Sequence, residues 1–324
     1  MNMRQAQSAT AAACPSSTTA SWTLYAERYG MLVVLIVLFV ASGILSPHFL
    51  TIENLLNLSR QVAAIGILSV GMTLAILTGG IDLAVGSTLA LSAVILAKNQ
   101  SLGSAALILS LLAGAGVGCF SGYLISFWRM PPFVVTLAAL IAVRGTAVLI
   151  AESHPIEGAP ALAHFLGQER IGPVSASTVV FIVVAFLAWL FLTKTRRGRY
   201  VYAVGGNEES ARLAGISVPG IKMIVYIFSG VLAALAGIII AGHLNVGDPI
   251  QGRGNELDAI AAVAIGGTSL KGGRGGVGST IIGLLIVGMV NNLLNLLNVA
   301  GYTQRIIIGL MIIIAIAIQR LRAD

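Results

Sequence analysis

Residues 273–280, Gly-Arg-Gly-Gly-Val-Gly-Ser-Thr, have the glycine spacing of a loop that binds phosphate. They match the pattern G-x-G-x-x-G and come close to the P-loop pattern G-x-x-x-x-G-K-[ST]. Ser279, however, stands where a P-loop has the lysine that contacts phosphate, and no strand precedes the run. The run is therefore predicted to be a tight turn between two helices, and any ATP hydrolysis must occur on a different polypeptide.

Several asparagines stand close together in the apolar run over residues 277–298. Asn291, Asn295 and Asn298 share one face of the predicted helix, because residues three and four apart are helical neighbours. Asn292 lies beside that face. Buried amides of this kind either bridge two helices or offer donors and acceptors to a polyhydroxy solute. The shared face is thus one candidate lining of a translocation path.

Arg144 lies well inside another apolar run, over residues 133–151. A charge at such a position is costly when unpaired, and it usually faces a cavity or a carboxylate. The candidate partners are Asp82, Glu256 and Asp258, and the sequence does not choose among them. Arg144 and Asp82 are therefore added to the candidate translocation path.

The longest polar segment inside the chain contains a predicted short helix. Asn207 can cap its first amides, and Glu208 and Glu209 suit the positive N-terminal end of a helix. Arg212 suits the opposite end, and Gly215 can adopt the left-handed conformation that stops a helix. The segment is either an amphipathic helix that lies on a membrane or a rigid element that receives force from a moving partner.

The histidines and cysteines predict neither a metal site nor redox chemistry. The histidines fall in predicted outer loops without a second ligand at helical spacing, and one cysteine is in a polar leader while the other is in an apolar run. We therefore expect no cofactor and no metal in this chain. The residues concerned are His48, His154, His164, His243, Cys14 and Cys119.

The composition identifies the elements that must position these residues. The chain of 324 residues is 57% hydrophobic and only 10% charged, whereas soluble domains contain roughly a quarter charged residues. A membrane-spanning helix needs about 20 apolar residues, so the length allows about ten crossings. The predicted spans are residues 31–46, 61–79, 85–97, 103–127, 133–151, 176–192, 222–242, 257–267, 277–298 and 303–319.

These spans predict an all-α integral membrane protein with about ten transmembrane helices. The spans over residues 85–97 and 257–267 are shorter than a usual crossing and are expected to be short or broken. Placing both termini in the cytoplasm puts most lysines and arginines on that side, as the positive-inside rule requires. The net charge of +7 is therefore an orientation signal and not a nucleic-acid surface. We expect a disordered cytoplasmic tail over residues 1–28 and a membrane domain over residues 29–324.

Glycines supply two further patterns. Gly114, Gly118 and Gly122 form a smooth stripe against which a helix of the same chain or of another chain can pack. The sequences that begin at Gly79 and at Gly266 share a Gly-Gly pair followed by Val-Gly-Ser-Thr, which indicates either an internal repeat or chance similarity. The longest outer segments, residues 152–175 and 243–256, are the expected docking site for a soluble partner.

Several stretches occur together in the order found in one transporter family. They cover residues 30–320 and resemble ribose-type permeases, the membrane subunits of ABC transporters that import monosaccharides. The segment before Tyr29 has no counterpart. The matching stretches are Gly71-Met-Thr-Leu, Thr78-Gly-Gly-Ile-Asp82-Leu-Ala-Val-Gly-Ser87, Arg197-Gly-Arg-Tyr200, Ala203-Val-Gly-Gly-Asn-Glu208, Arg212-Leu-Ala-Gly-Ile216, Glu256-Leu-Asp-Ala-Ile-Ala-Ala-Val263, Gly266-Gly-Thr-Ser-Leu270 and Asn291-Asn-Leu-Leu-Asn-Leu-Leu297.

The resemblance implies a multi-pass protein of the bacterial inner membrane, surrounded by lipid, that pairs with a second copy of itself. It implies a cytoplasmic ATPase subunit that holds ATP and magnesium, a periplasmic sugar-binding protein, and a monosaccharide substrate, most simply ribose. The chain lacks the Glu-Ala-Ala run of the broader importer signature, which leaves individual ATPase contacts open. The segment that corresponds to the family's coupling loop contains Gly206, Asn207, Glu208, Glu209, Arg212 and Gly215.

Two other classes of function make different demands on the sequence. A self-sufficient secondary transporter of a small polar solute is expected to carry carboxylates or histidines in mid-membrane, where this chain clearly has only Arg144. An intramembrane enzyme needs a nucleophile or a metal motif such as HExxH, and no such motif is present. We therefore predict a transport subunit that is not itself an enzyme.

Overall fold

The computed structural model describes residues 17–321, and the side chains of residues 30–317. Helices form almost all of its regular structure. The helices are α1 (Ser17–Leu45), α2 (Ile52–Leu77), α3 (Val85–Lys98), α4 (Ser104–Ser126), α5 (Pro132–Ile150), α6 (Ala161–Gln168), α7 (Ala176–Lys194), α8 (Arg196–Gly206), α9 (Glu208–Leu213), α10 (Val218–Leu244), α11 (Asn255–Ile265), α12 (Val277–Leu296) and α13 (Gly301–Leu321).

Each predicted span overlaps one helix, which confirms an all-α membrane protein. Within the described residues, six helices are long and apolar enough to cross a membrane by length and composition: α2, α4, α5, α7, α10 and α12. As predicted, α3 and α11 are short, with 14 and 11 residues. Residues 1–16 of the predicted disordered tail lie outside the described residues, whereas the structure assigns residues 17–28 to α1.

Hydroxyl side chains begin three of the helices. Thr51, Ser175 and Thr195 each accept a hydrogen bond from the backbone N–H three residues further on, at 3.3, 3.3 and 2.9 Å. These bonds satisfy one of the free amides at the first turns of α2, α7 and α8, where the helix itself offers no acceptor. The sequence therefore fixes where these helices start.

Helix α2 forms the centre of the bundle. It packs against α7, α10, α11 and α12, and nearly every residue from Val62 to Leu77 is buried. Two of its buried hydroxyls bond within the helix, because Ser69 donates to the carbonyl of Ile65 and Thr73 donates to the carbonyl of Ser69. The buried middle of α2 thus satisfies these two donors without a partner helix.

The glycine stripe of α4 packs against α10 of the same chain. A Cβ at Gly114 would overlap the carbonyl oxygen of Gly230, and a Cβ at Gly118 would overlap that of Tyr226. Small residues let two helices approach this closely. The sequence left open whether the helix that packs on this stripe belongs to the same chain or to another one, and here it is a helix of the same chain.

The bundle has two ends, which we name the α8 end, where α2 and α7 finish and α8 begins, and the far end. At the far end the strand β1 (Ile156–Glu157) pairs antiparallel with β4 (Val246–Gly247), and β2 (Arg170–Ile171) pairs with β3 (Val174–Ser175). The pairing of β1 with β4 joins the two segments predicted to dock a soluble partner into one surface.

Candidate functional site

The predicted short helix is present as α9, and Asn207 caps it. The Asn207 side chain accepts a hydrogen bond from the N–H of Ser210 at 2.8 Å, while its own N–H donates to Ala203 of α8 at 3.1 Å. Asn207 therefore ends one helix and starts the next. After α9, Gly215 adopts φ +79°, the left-handed conformation predicted for it.

Both acidic residues of α9 are paired. Glu209 accepts from Arg212 at 2.6 Å within the helix, and Glu208 accepts from Lys222 of α10 at 2.6 Å. The hydrogen bonds and negative charge of Glu209 raise the pKa of the Arg212 guanidinium above its ordinary value. The Lys222 bridge ties α9 to α10, and Leu213 of α9 remains 80% exposed. The helix thus offers an apolar side chain flanked by charges on an outward surface.

Helix α8 rests on the two glycine hairpins that the sequence singled out. The N–H of Gly273, in the turn between α11 and α12, donates to the carbonyl of Leu77 at the end of α2, at 3.1 Å. Gly205 of α8 lies against both groups, because a Cβ there would overlap the Leu77 oxygen and lie 2.7 Å from the Gly273 nitrogen. We name this contact of Leu77, Gly205 and Gly273 the glycine junction. It connects α8 to the end of α2 and to the turn that precedes α12.

A tyrosine reinforces the glycine junction. Tyr202 of α8 donates its hydroxyl to the carbonyl of Gly275 at 3.1 Å, and burial raises the pKa of the Tyr202 phenol. The phenol therefore stays protonated and keeps its donor. Residues 273–276 of the P-loop-like run accordingly form the interhelical turn that was predicted, whereas residues 277–280 form the first turn of α12.

Asp82 is buried in the other hairpin, between α2 and α3. Its carboxylate accepts from the hydroxyl of Ser229 of α10 at 2.7 Å and from the N–H of Ala84 at 3.0 Å, and the residue is 4% exposed. Tyr226, one turn earlier on α10, is fully buried beside Gly80. Asp82 thus fastens the hairpin to α10.

Arg144 binds backbone carbonyls. Its guanidinium donates to the carbonyls of Pro249 and Gln251 at 2.9 and 2.6 Å. None of the ion pairs found within the described part of the chain includes Arg144, so the three carboxylates proposed as partners do not pair with it directly. Two charge-assisted hydrogen bonds fix the loop before α11 to α5.

Asn292 performs the bridging role that was one alternative for the asparagines. It exchanges two amide hydrogen bonds with Asn54 of α2, at 3.0 and 2.8 Å. Asn291 and Asn295 face elsewhere and line a cavity of about 270 Å³ between α2, α11, α12 and α13. Asn298 follows the end of α12 with φ +56° and does not line this cavity.

The candidate path residues therefore occupy separate places. Asn291 and Asn295 meet at the cavity, Arg144 lies at the far-end loop, and Asp82 lies near the α8 end. Four further polar residues from three other helices share the cavity; the sequence named one of them, Asp258, only as a candidate partner of Arg144, and the other three were missed. The four are Gln61, Asp258, Gln304 and Arg305.

Comparisons with known proteins identify relatives along nearly the whole chain. The family described as branched-chain amino acid transport system, permease component, matches residues 54–316. The chain is similar to the ribose import permease protein RbsC of Escherichia coli strain K12, with 44% identity over 295 residues that cover 89% of this chain and 92% of that protein.

Two further relatives extend the comparison. RbsC of Bacillus subtilis strain 168 is 42% identical over 304 residues, which cover 91% of this chain and 93% of that protein. The D-allose transport system permease protein AlsC of Escherichia coli strain K12 is 36% identical over 307 residues, which cover 93% and 94%. No solved structure matches the chain significantly.

Proposed function

The chain belongs to the family described as permease components of branched-chain amino acid transport systems, and from its similarity to ribose permeases we propose that it serves the import of a monosaccharide, most simply ribose. It is a multi-pass permease subunit of an ABC importer in the bacterial inner membrane, and ATP hydrolysis lies with a separate ATPase subunit. The proposal of ribose rests on the similarity to the ribose import permeases of Escherichia coli and Bacillus subtilis over about nine tenths of the chain.

The proposal extends to topology and partners. Ten helices, α1 to α5, α7 and α10 to α13, cross the membrane, and both termini lie in the cytoplasm. This arrangement puts the α8 end, with the exposed Arg196, Arg197 and Arg199, on the cytoplasmic side, in agreement with the positive-inside rule. The partners are a second copy of the chain, the ATPase, and a periplasmic sugar-binding protein that docks on the surface joined by β1 and β4.

Helices α8 and α9 are the coupling element of this proposal. Their outer surface includes the exposed Gly206 and Leu213, and their inner surface rests on the glycine junction. A rigid element between partner and bundle can transmit motion only if the partner binds the inward and outward states unequally. A push on α9 would reach α10 through Lys222, and α2 and α12 through the glycine junction.

The candidate path residues take different roles in the proposal. Asn291 and Asn295 line the path. Asp82 and Arg144 hold the hairpin and the loop at its two ends, and Asn298 lies in the turn that follows α12. This division follows their contacts, since Asp82 and Arg144 are already bonded to protein groups.

The test is ribose import by the chain assembled with its ATPase and binding protein in proteoliposomes. Gly206→Trp should insert and assemble normally, because nothing in the chain lies within 4 Å of a Cβ at Gly206. It should abolish import and sugar-stimulated ATP hydrolysis, because the bulky side chain prevents the ATPase from docking on α8 and α9. Gly278→Trp, at another open position near the α8 end, serves as the control and should import normally.

Two results would contradict the proposal. Ribose import by the chain without any ATPase would identify a secondary transporter. Normal import coupled to ATP hydrolysis in Gly206→Trp would show that the ATPase binds another surface of the chain.

A further inference from the structure

One cavity in the bundle gathers an unusual number of polar side chains. It encloses about 270 Å³ between α2, α11, α12 and α13, on the half of the bundle nearer the far end. Polar and charged groups inside a membrane protein are costly and usually mark a path for solute or ions. The polar groups that line the cavity are Gln61, Asp258, Asn291, Asn295, Gln304 and Arg305.

The charges in the cavity neutralise each other while leaving bonding capacity free. Arg305 of α13 contacts the carboxylate of Asp258 of α11 at 3.3 and 3.4 Å, which is long for a charge-assisted hydrogen bond. The Asp258 side chain is 7% exposed, whereas that of Arg305 is 55% exposed. A carboxylate can accept about four hydrogen bonds, so Asp258 retains acceptor sites for neighbouring hydroxyl groups.

The amides in the cavity are not all needed to hold the helices together. The pair of Asn54 and Asn292 already bridges α2 and α12, and Gln304 donates to Asn295 at 2.8 Å across α12 and α13. The Oδ1 atom of Asn291, by contrast, is buried and accepts no hydrogen bond. A buried acceptor without a partner costs free energy, which a donor in the cavity would recover once the Asn291 side chain turns its oxygen toward it.

We infer that this cavity is a binding subsite for one monosaccharide in its ring form, which rests on the proposed function. Asp258 and Asn291 accept hydrogen bonds from sugar hydroxyls, and Arg305 and the remaining amides donate to sugar oxygens. Pockets for small ligands enclose roughly 300–1,000 Å³, so a cavity near the lower limit suits a single sugar ring.

A second cavity supplies the entrance. It encloses about 620 Å³, lies between α2, α7, α10 and the loop before α11, and shares Gln61 and Ile65 with the first cavity. Its lining is also polar, with Asn57, His243 and Gln251 among its residues. A sugar released at the far end would first occupy this wider space and then pass Gln61 to reach the subsite.

Protection of a cysteine from chemical modification tests the subsite without depending on transport rates. Cys14→Ser and Cys119→Ser first remove the native thiols, and Asn295→Cys then places one thiol at the cavity. D-ribose should slow modification of Asn295→Cys by a membrane-impermeant thiol reagent, severalfold and saturably. Ser101→Cys, exposed at the far end outside the two predicted docking segments, is the matched control and should react at the same rate with or without sugar.

A second substitution measures the contribution of the carboxylate. In the Asn295→Cys background, Asp258→Asn keeps the size of the side chain and should raise the D-ribose concentration for half-protection about tenfold, the scale of one weakened bond to a charged group. Gln61→Leu should slow the onset of protection, because it lies between the two cavities.

Each remaining outcome has a defined meaning. If the wild-type complex imports D-ribose but saturating D-ribose leaves modification of Asn295→Cys unchanged, the subsite is refuted and the proposed function stands. If L-leucine protects the cysteine of Asn295→Cys and D-ribose does not, the cavity binds an amino acid, and both proposals fail. If Asp258→Asn leaves the D-ribose concentration for half-protection unchanged, the Asp258 carboxylate does not bind the sugar.

Discussion

Gly205 of α8 lies so close to the carbonyl of Leu77 that there is no space for a Cβ atom. The neighbouring Gly206 faces open space in the same helix. Two adjacent glycines thus have opposite environments. Glycine is required at the first by contact with backbone, which cannot move aside as a flexible side chain can.

Gly205→Ala should lower the melting temperature of the purified permease. Alanine favours a helix over glycine by roughly 0.5–1 kcal/mol, but overpacking against Leu77 should cost about 1–3 kcal/mol. The matched Gly206→Ala gains the helix preference without the clash and should melt at the same or a higher temperature. Equal melting temperatures for the two variants would show that the glycine junction is not tightly packed.

The reciprocal amide pair of Asn54 and Asn292 should contribute a measurable coupling energy. Each single substitution to leucine leaves one amide without its partner and should destabilise by about 0.6–2 kcal/mol, the range for hydrogen bonds between membrane helices. The double variant should lose less than the sum of the two single losses. Thermal unfolding of the four proteins in one detergent gives the cycle, and strict additivity would argue against the bridge.

Arg212→Glu should uncouple ATP hydrolysis from sugar without unfolding the chain. The pair of Arg212 and Glu209 is solvent-exposed, so its loss should change the stability of the fold only slightly. The substitution places a third acidic side chain on α9 and reverses the charge at its end. Sugar-stimulated ATPase activity of the full complex is the measurement. Arg212→Lys keeps the charge and should retain most of the coupling, and wild-type activity in Arg212→Glu would contradict the assignment of α9.

Arg144→Leu should loosen the loop before α11. The substitution removes the hydrogen bonds to Pro249 and Gln251, so trypsin should cleave after the exposed Arg253 faster than in the wild type. Cleavage after Lys271, in the turn near the α8 end, provides the internal control and should not change. We expect weaker docking of the binding protein in the same variant. An unaltered cleavage pattern would mean that the loop is held by other contacts.

The positions of the membrane helices could be predicted because long apolar runs are a local property of the sequence. The cap at Asn207 and the stop at Gly215 were equally local, and both are confirmed. Helix α8 was missed, since its three glycines and two valines give it a weak helical preference. The available signal was the cap at Thr195 together with buried valines at positions 201 and 204, which share one face.

Contacts between distant segments could not be predicted. The glycine junction joins residues 77, 205 and 273, and the amide bridge joins residues 54 and 292. These residues are far apart in the sequence, so no local pattern predicts either contact. The sequence placed Asn291 and Asn295 on one face correctly but could not supply Asp258 and Arg305, which reach the cavity from other helices. Asn298 failed to join that face because α12 ends at Leu296.

The central position of α2 has a consequence for how the chain is made. All its main neighbours, α7, α10, α11 and α12, follow it in sequence, so the ribosome has yet to synthesise them when α2 enters the bilayer. Newly inserted α2 is therefore surrounded by lipid chains until its neighbours are made. Two of its hydroxyls are satisfied during that time, because Ser69 and Thr73 bond to carbonyls of their own helix. The native core closes around α2 only when the C-terminal half of the protein has emerged.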